Sequence, residues 1–188
     1  MPRRYYRRSY RRYSNYVPRS LKYSNETFRA TRDLITPYSG EFDSRNIVVT
    51  QSADALQGTR KVKNFTLTIS AKGLFGTTDL TTFTPVEEAS TEIAFALVYV
   101  PEGLTPQALS NPTGDTAVSL YEPNQNVILS GIIDQTQVYR FRTKLGRNLN
   151  SGDAIYLLLR DVGDKDLSEN QYTKKSIVKA LVNYAIAF

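Results

Sequence analysis

The chain has 188 residues, which is enough for one domain of ordinary size. It contains no Cys, His or Trp, which excludes disulfide scaffolds, zinc sites of the usual kind and nucleophilic catalysis by Cys or His. The formal charge of +6 is uneven: the first 22 residues hold eight of the 24 basic residues and no acid, and the remainder holds 16 basic against 18 acidic residues. We therefore expect a cationic arm on a nearly neutral body, and we predict neither an enzyme nor a cofactor.

The N-terminal segment MPRRYYRRSYRRYSNY lacks Leu, Ile, Val and Phe. Such a segment cannot bury enough apolar surface to offset its ordering entropy, so an arm over residues 1–43 is predicted to be largely disordered in isolation. Arginine forks match phosphate oxygens, and tyrosine rings offer faces on which unpaired bases stack. The predicted nucleic-acid-binding residues of the arm are Arg3, Arg4, Arg7, Arg8, Arg11, Arg12, Arg19 and Lys22, with Tyr5, Tyr6, Tyr10 and Tyr13. The alternative is a solvated basic tail or a nuclear-import signal.

A β pattern begins at about residue 44. Alternation of apolar and polar residues over 60–71 predicts one strand, and the apolar run over 93–100 predicts another that is covered on both faces. Shorter patterns bounded by turn residues predict further strands at 45–52, 116–121, 126–133, 136–144 and 153–160. Long connections are predicted between them, at 73–90 and 101–115.

The C-terminal segment 174–188 fits two kinds of structure. As a strand it presents an apolar face made of the even-numbered residues from Val178 to Phe188. As a helix it would line up Ile177, Leu181 and Tyr184. Its content of β-branched residues favours the strand.

About eight strands in residues 44–188, with no convincing long helix, predict an all-β domain built as a two-sheet sandwich. The long connections favour a single jelly-roll β-sandwich over an up-and-down arrangement. No apolar run approaches the roughly 18 residues of a membrane span, so none is predicted.

A second basic feature lies in the predicted strand 136–144. Arg140, Arg142 and Lys144 share one face, and Tyr139, Phe141 and Leu145 share the other. One interpretation is a phosphate-binding strip beneath the arm, with Arg140 and Arg142 as nucleic-acid ligands. The other is an ordinary solvated strand face, or a set of salt bridges between subunits.

The acidic segment DVGDKDLSE at 161–169 holds several carboxylates, and carboxylate oxygens are ligands that Ca²⁺ accepts. The weak candidate ligands are Asp161, Asp164 and Asp166. Their spacing does not match a calcium-binding loop of the EF-hand type, so a solvated acidic loop is preferred and no metal is predicted.

Several segments resemble one protein family. The start MPRRYYRRSYRRY resembles the Arg/Tyr-rich N-terminus of circovirus-type capsid proteins, and RKVKNFTL at 60–67 resembles the strand that follows their first body strand. YVPEG at 99–103 and SLYEPNQNVI at 119–128 are similar to stretches in capsids of small circular single-stranded DNA viruses. The resemblance implies a jelly roll that self-assembles into an icosahedral T=1 shell of about 60 copies around single-stranded DNA. The chain is shorter than typical circovirus coats and its arm is less basic.

The partners expected from this resemblance are further copies of the chain, single-stranded nucleic acid and a host nuclear-import receptor. The expected locations are the virion and, during assembly, the host nucleus. The coat protein of a small RNA or satellite virus remains an alternative, because phosphate contacts and base stacking occur with either nucleic acid. A non-viral nucleic-acid-binding module with a basic tail is a further alternative, although the nearly neutral body argues against it.

Overall fold

The computed structural model describes residues 23–36, 43–50, 59–79, 82–110, 119–122, 124–162 and 173–187. These residues form ten strands and one short 3-10 turn at Asn124–Asn126. The strands are β1 (Ser24–Thr36), β2 (Asp43–Thr50), β3 (Arg60–Asp79), β4 (Thr82–Ala89), β5 (Glu92–Val100), β6 (Val127–Asp134), β7 (Tyr139–Thr143), β8 (Arg147–Leu149), β9 (Ala154–Asp161) and β10 (Thr173–Ala187). No helix in this part of the chain is long and apolar enough to cross a membrane.

The strands form two antiparallel sheets. The six-stranded sheet has the order β1-β10-β3-β4, and the four-stranded sheet has the order β2-β9-β5-β6. One edge of the 20-residue strand β3 is shared, because successive parts of it pair with β8, β7 and β4. With β7 and β8 counted as one strand and β4 as an insertion, eight strands remain, and the chain passes back and forth between the two sheets. This is the double-sheet jelly roll, so the predicted fold class is confirmed.

The main core lies between the two sheets. Alternate side chains of β3 and β10 face those of β5 and β9, as period-2 patterning requires. Phe65, Leu67 and Ile69 of β3 are fully buried there, and so are the even-numbered residues of β10 at Val178 and Val182. The C-terminal segment is therefore a strand, as its β-branched content indicated.

A second apolar cluster covers the outer face of the four-stranded sheet. Ala94, Ala96 and Val98 of β5 pack under Leu109 and Tyr121, which belong to the connection after β5. The Ser110 amide donates a 2.9 Å hydrogen bond to the Leu120 carbonyl, and the buried Arg160 guanidinium donates to the Leu109 carbonyl. The prediction that residues 93–100 are covered on both faces is confirmed, because the loop after β5 packs over the central strands of this sheet.

The first strand begins earlier than predicted. Ser24–Thr36 lies inside the predicted arm, yet all of its 13 residues pair with β10. Within residues 24–35, whose burial is described, the buried residues are Ala30 and Leu34, because β1 is an edge strand with one open face. Two buried positions in a polar segment make a weak apolar pattern, which explains why sequence reasoning placed this strand in the arm.

The region between β3 and β5 also differs from prediction. The long connection predicted at 73–90 contains the end of β3 and the whole of β4. Within residues 83–89 of β4 only Ala89 is buried, so the segment lacks the alternation that marks a strand. The short strand β8 was not predicted either. The strand predicted at 116–121 lies partly outside the described residues, and its described part, 119–121, is not in a strand.

Candidate nucleic-acid interface

The outer face of the six-stranded sheet is open, unlike that of the four-stranded sheet. Its middle consists of cross-strand rows that run over β1, β10, β3 and β7. One row contains Arg29, Leu181, Thr68 and Arg140, and the next contains Thr27, Asn183, Thr66 and Arg142. Neighbouring side chains within a row lie about 5 Å apart, so groups from four strands form one surface. We call this surface the open face.

The open face is cationic. Its basic residues are Arg29, Lys63, Arg140, Arg142, Lys144 and Lys179, and the outward positions of these rows hold no Asp or Glu. None of the six forms an ion pair with another residue in the described ranges. The ion pairs of this sheet lie farther along it, where Lys175 binds Asp33 at 2.7 Å and Lys72 binds Glu88 at 3.0 Å. The open face therefore presents uncompensated positive charge, which favours a polyanion.

Strand β7 brings two of the predicted ligands to this surface. Arg140 and Arg142 are exposed and point outward beside Thr68 and Thr66. The alternate residues turn to the core, where the Phe141 ring lies 4.9 Å from that of Phe95. The predicted division of this strand into a basic and an aromatic face is therefore correct for these residues.

Leu145 departs from that prediction. Its side chain is 52% exposed, because β7 ends at Thr143 and the alternation of faces ends with it. Leu145 lies two residues beyond the end of β7, where the alternation of a strand no longer assigns side chains to faces.

Three cations of the open face, Arg29, Lys63 and Lys179, were not predicted. Lys179 could have been found, because it is an outward position of the strand predicted at 174–188 and lies beside Ser70. Arg29 could not, since its strand was assigned to the arm. Their positions beside the other cations depend on pairing between strands that are distant in the chain. A local sequence pattern does not reveal such pairing.

The arm joins the sheet at one end of the open face. Ser24, the first residue of β1, pairs with Ile186, and the Lys63 ammonium lies 3.8 Å from the centroid of the Tyr23 ring. That distance is within the range of a cation–π contact. The predicted ligands of the arm, from Arg3 to Lys22, lie outside the described residues. Whatever path the arm takes, it starts beside the cations of the open face.

The acidic segment is not a single loop. Asp161 is buried between the sheets, where Lys174 Nζ lies 3.1 Å from one carboxylate oxygen and Ser176 Oγ donates to the other at 2.5 Å. Asp164 and Asp166 lie outside the described residues. The calcium interpretation fails at Asp161, because both of its oxygens already have partners inside the core. Among the described residues no group of three metal-ligating side chains occurs.

Comparison with known proteins returned no matching family model and no matching curated protein. Among solved structures, the Penaeus stylirostris densovirus capsid aligns with 89% of this chain and 85% of its own, at 9% identity and a TM-score of 0.40. The capsid of Penaeus monodon metallodensovirus after EDTA treatment aligns with 90% of this chain and 75% of its own, at 10% identity and a TM-score of 0.38. Similarity at this level carries no conclusion about function.

Proposed function

We propose that this chain is the capsid protein of a small single-stranded DNA virus. In this proposal it self-assembles into an icosahedral shell of about 60 copies and packages the genome through its arm and its open face. The observation that carries the proposal is the position of the arm. A segment with eight basic residues and no acid leads off the edge of an uncovered, cationic sheet face of a jelly roll.

The two faces of the sandwich differ in a way that suits a shell. The loop after β5 covers the central strands of the four-stranded sheet with apolar residues, whereas no described segment packs over the cationic outer face of the six-stranded sheet. A subunit that encloses a polyanion needs its positive surface on the inside. We therefore orient the open face and the arm toward the packaged nucleic acid, with the four-stranded sheet outward.

The choice of DNA rests on the sequence resemblance to capsids of circular single-stranded DNA viruses. Phosphate contacts would serve an RNA genome equally well. The proposal places the mature protein in the virion, and the arm serves also as the signal for import into the host nucleus, where a DNA genome would be packaged.

One observation favours a second candidate. The body is nearly neutral in sum, yet its cations gather on one face, and this also suits a non-viral nucleic-acid-binding module with a basic tail. The two candidates differ in assembly, because a shell needs repeated contacts between copies and a module does not.

Sedimentation velocity of the full-length recombinant protein, recorded at 260 and 280 nm in one run, tests the proposal. Nucleic acid absorbs more strongly at 260 than at 280 nm, whereas the protein absorbs near 280 nm through its 13 Tyr, so the ratio reports bound nucleic acid. We expect a single fast boundary of megadalton size with a high 260/280 ratio. A boundary near 21.2 kDa under all conditions of salt, pH and added nucleic acid would overturn the shell and favour the tailed module.

A further inference from the structure

We infer that the open face contains nucleotide-sized subsites that take the unpaired bases of a single-stranded nucleic acid. The folded body, and not only the arm, would then discriminate single strands from duplex. This inference rests on the proposed function and names the ligand chemistry of its inner surface.

The first subsite is a shallow depression of about 330 Å³ that spans β1, β10 and β3. The apolar part of its lining includes Val138 and Leu181, and two cations, Arg29 and Lys179, also line it. The hydroxyl groups of Thr68 and Ser70 complete the surface. An apolar surface edged by cations and hydroxyls matches a nucleotide, which combines a flat ring, an anionic phosphate and polar ring edges.

Val138 is the most informative residue of this depression. It is 66% exposed, the largest exposed fraction among the exposed large apolar side chains of the described residues. It lies in the turn just before β7, so it is adjacent to the row that holds Arg140. A base stacked on Val138 and Leu181 would remove this apolar surface from water while its phosphate stays within reach of the cations.

A second depression continues the first along β3. It has a volume of about 390 Å³ and is lined by Thr66 and Asn64 of β3 and by Arg142 and Lys144. Its β3 residues lie four positions from Ser70 and Thr68, which corresponds to about 13 Å along a strand. Beyond it come Lys63 and Tyr23, where the arm joins the sheet. The two depressions and the root of the arm therefore form one track.

The geometry favours single strands for a simple reason. The bases of a duplex are already stacked and paired, so a duplex can bring only its phosphates to the cations at the edge of the track. An unpaired base can turn into a depression and stack there. No carboxylate occupies the outward positions of these rows, so nothing on the track repels the phosphates.

The test measures binding of the full-length protein to a fluorescein-labelled 20-nucleotide oligothymidylate and to a labelled 20-base-pair duplex by fluorescence anisotropy. In the variant Val138→Ser/Leu181→Ser we expect affinity for the single strand to fall about 5- to 30-fold, because the base loses apolar contact area, and affinity for the duplex to stay unchanged. Neither side chain is fully buried, and thermal unfolding checks that the variant keeps its fold.

A second pair of variants tests the cations. Arg29→Gln/Lys179→Gln removes two charges on the track, and Lys72→Gln/Lys175→Gln removes two charges of the same sheet that are already ion-paired outside it. Two lost phosphate contacts should reduce the steepness of log K against log salt by about 1.4 for the single strand. The control variant, with the same net charge, should keep the original slope.

Two results would overturn the inference. Equal losses for single strand and duplex in the Ser variant would show that no base enters the depressions. Equal slopes in the two Gln variants would show that total charge, and not the track, governs binding. If the variants still form shells that sediment with nucleic acid, the proposed function holds even though this inference fails. If the wild-type protein forms no shell, the proposed function is wrong, whatever the binding experiments show.

Discussion

Lys174 and Asp161 show how a single buried pair connects the two sheets. The Lys174 side chain on β10 is 2% exposed and the Asp161 side chain on β9 is 4% exposed, and Ser176 donates to the same carboxylate while contacting Thr91 at 3.2 Å. Taking two charges out of water is unfavourable, so such a pair adds little net stability while both partners are present. Removal of one partner is strongly destabilising, because the opposite charge that balanced the remaining buried charge is lost.

We predict that Lys174→Met lowers the free energy of unfolding by about 3–5 kcal/mol, because it removes the cation that faces the buried Asp161 carboxylate. Urea denaturation of the protein, or of its unassembled subunits, measures the change. The double variant Lys174→Met/Asp161→Leu removes both charges and should recover most of the loss. A double variant as unstable as the single one would show that the ion pair itself supplies the stability.

The Asp153 carboxylate connects the loop after β5 to the loop before β9, at the end of the sandwich where β1 begins. Its buried carboxylate accepts hydrogen bonds from Tyr99 Oη at 2.7 Å, from the Asn150 amide at 2.8 Å and from the Glu102 amide at 3.1 Å. Burial, and then the hydrogen bond to Asp153, raise the pKa of Tyr99 from its ordinary value of 10.0 to about 12. Burial and a hydrogen bond to Glu26 raise the pKa of Tyr184 as well.

These shifts predict a loss of stability in alkali. Because the folded pKa of Tyr99 lies above the unfolded one, its contribution is complete below pH 10 and is lost as the pH rises from 10 to about 12. Tyr99→Phe should therefore lower stability at pH 8 by about 1 kcal/mol, through the lost hydrogen bond, and make the decline above pH 10 less steep. Urea midpoints between pH 8 and 11.5 measure both effects. An unchanged decline in the variant would contradict the role given to Tyr99.

At the scale of whole elements, β1 decides where the body begins. It supplies Ala30 and Leu34 to the core and covers one edge of β10 along its length. Removal of this strand would expose the edge of a central strand and part of the core, and such edges are prone to aggregate. The division between arm and body that the structure supports therefore lies near residue 23.

Two truncations test this boundary. A chain that starts at residue 23 should fold with nearly the original midpoint of thermal unfolding, since it keeps all ten strands. It should bind single strands with a log–log salt slope shallower by about 5.6, because eight cations are gone. A chain that starts at residue 44 should aggregate or fail to fold. Soluble, cooperatively unfolding protein from the shorter chain would show that β1 is dispensable.

Strands with a strong pattern were predictable and strands with a weak one were not. The alternation over 60–71 and the apolar run over 93–100 identified most of β3 and β5, because both lie against the core. β4 was not predicted because Ala89 is the only buried residue within 83–89. This strand forms because it pairs with β3 in a hairpin, which its own composition does not indicate. For the candidate site, local alternation found Arg140 and Arg142, but it could not show which residues lie beside them.

At the scale of the whole molecule, the proposed function follows from the difference between the two outer faces. The loop after β5 covers the central strands of one face, and no described segment covers the other, which carries six basic residues. The sedimentation experiment tests this proposal directly. It also decides how the binding experiments are done, since an assembled shell would enclose the open face.

The sequence by itself determined the all-β class, the concentration of charge in the arm and the two-faced character of β7. These are local properties: composition follows from the residues alone, and alternation assigns each side chain to one of two faces. Only the tertiary structure decided that β1 belongs to the body, that Asp161 lies in the core, and that Arg29 and Lys179 join Arg140 and Arg142. The reason is that sheet neighbours such as Arg29 and Leu181 are far apart in the chain, so their proximity depends on long-range strand pairing.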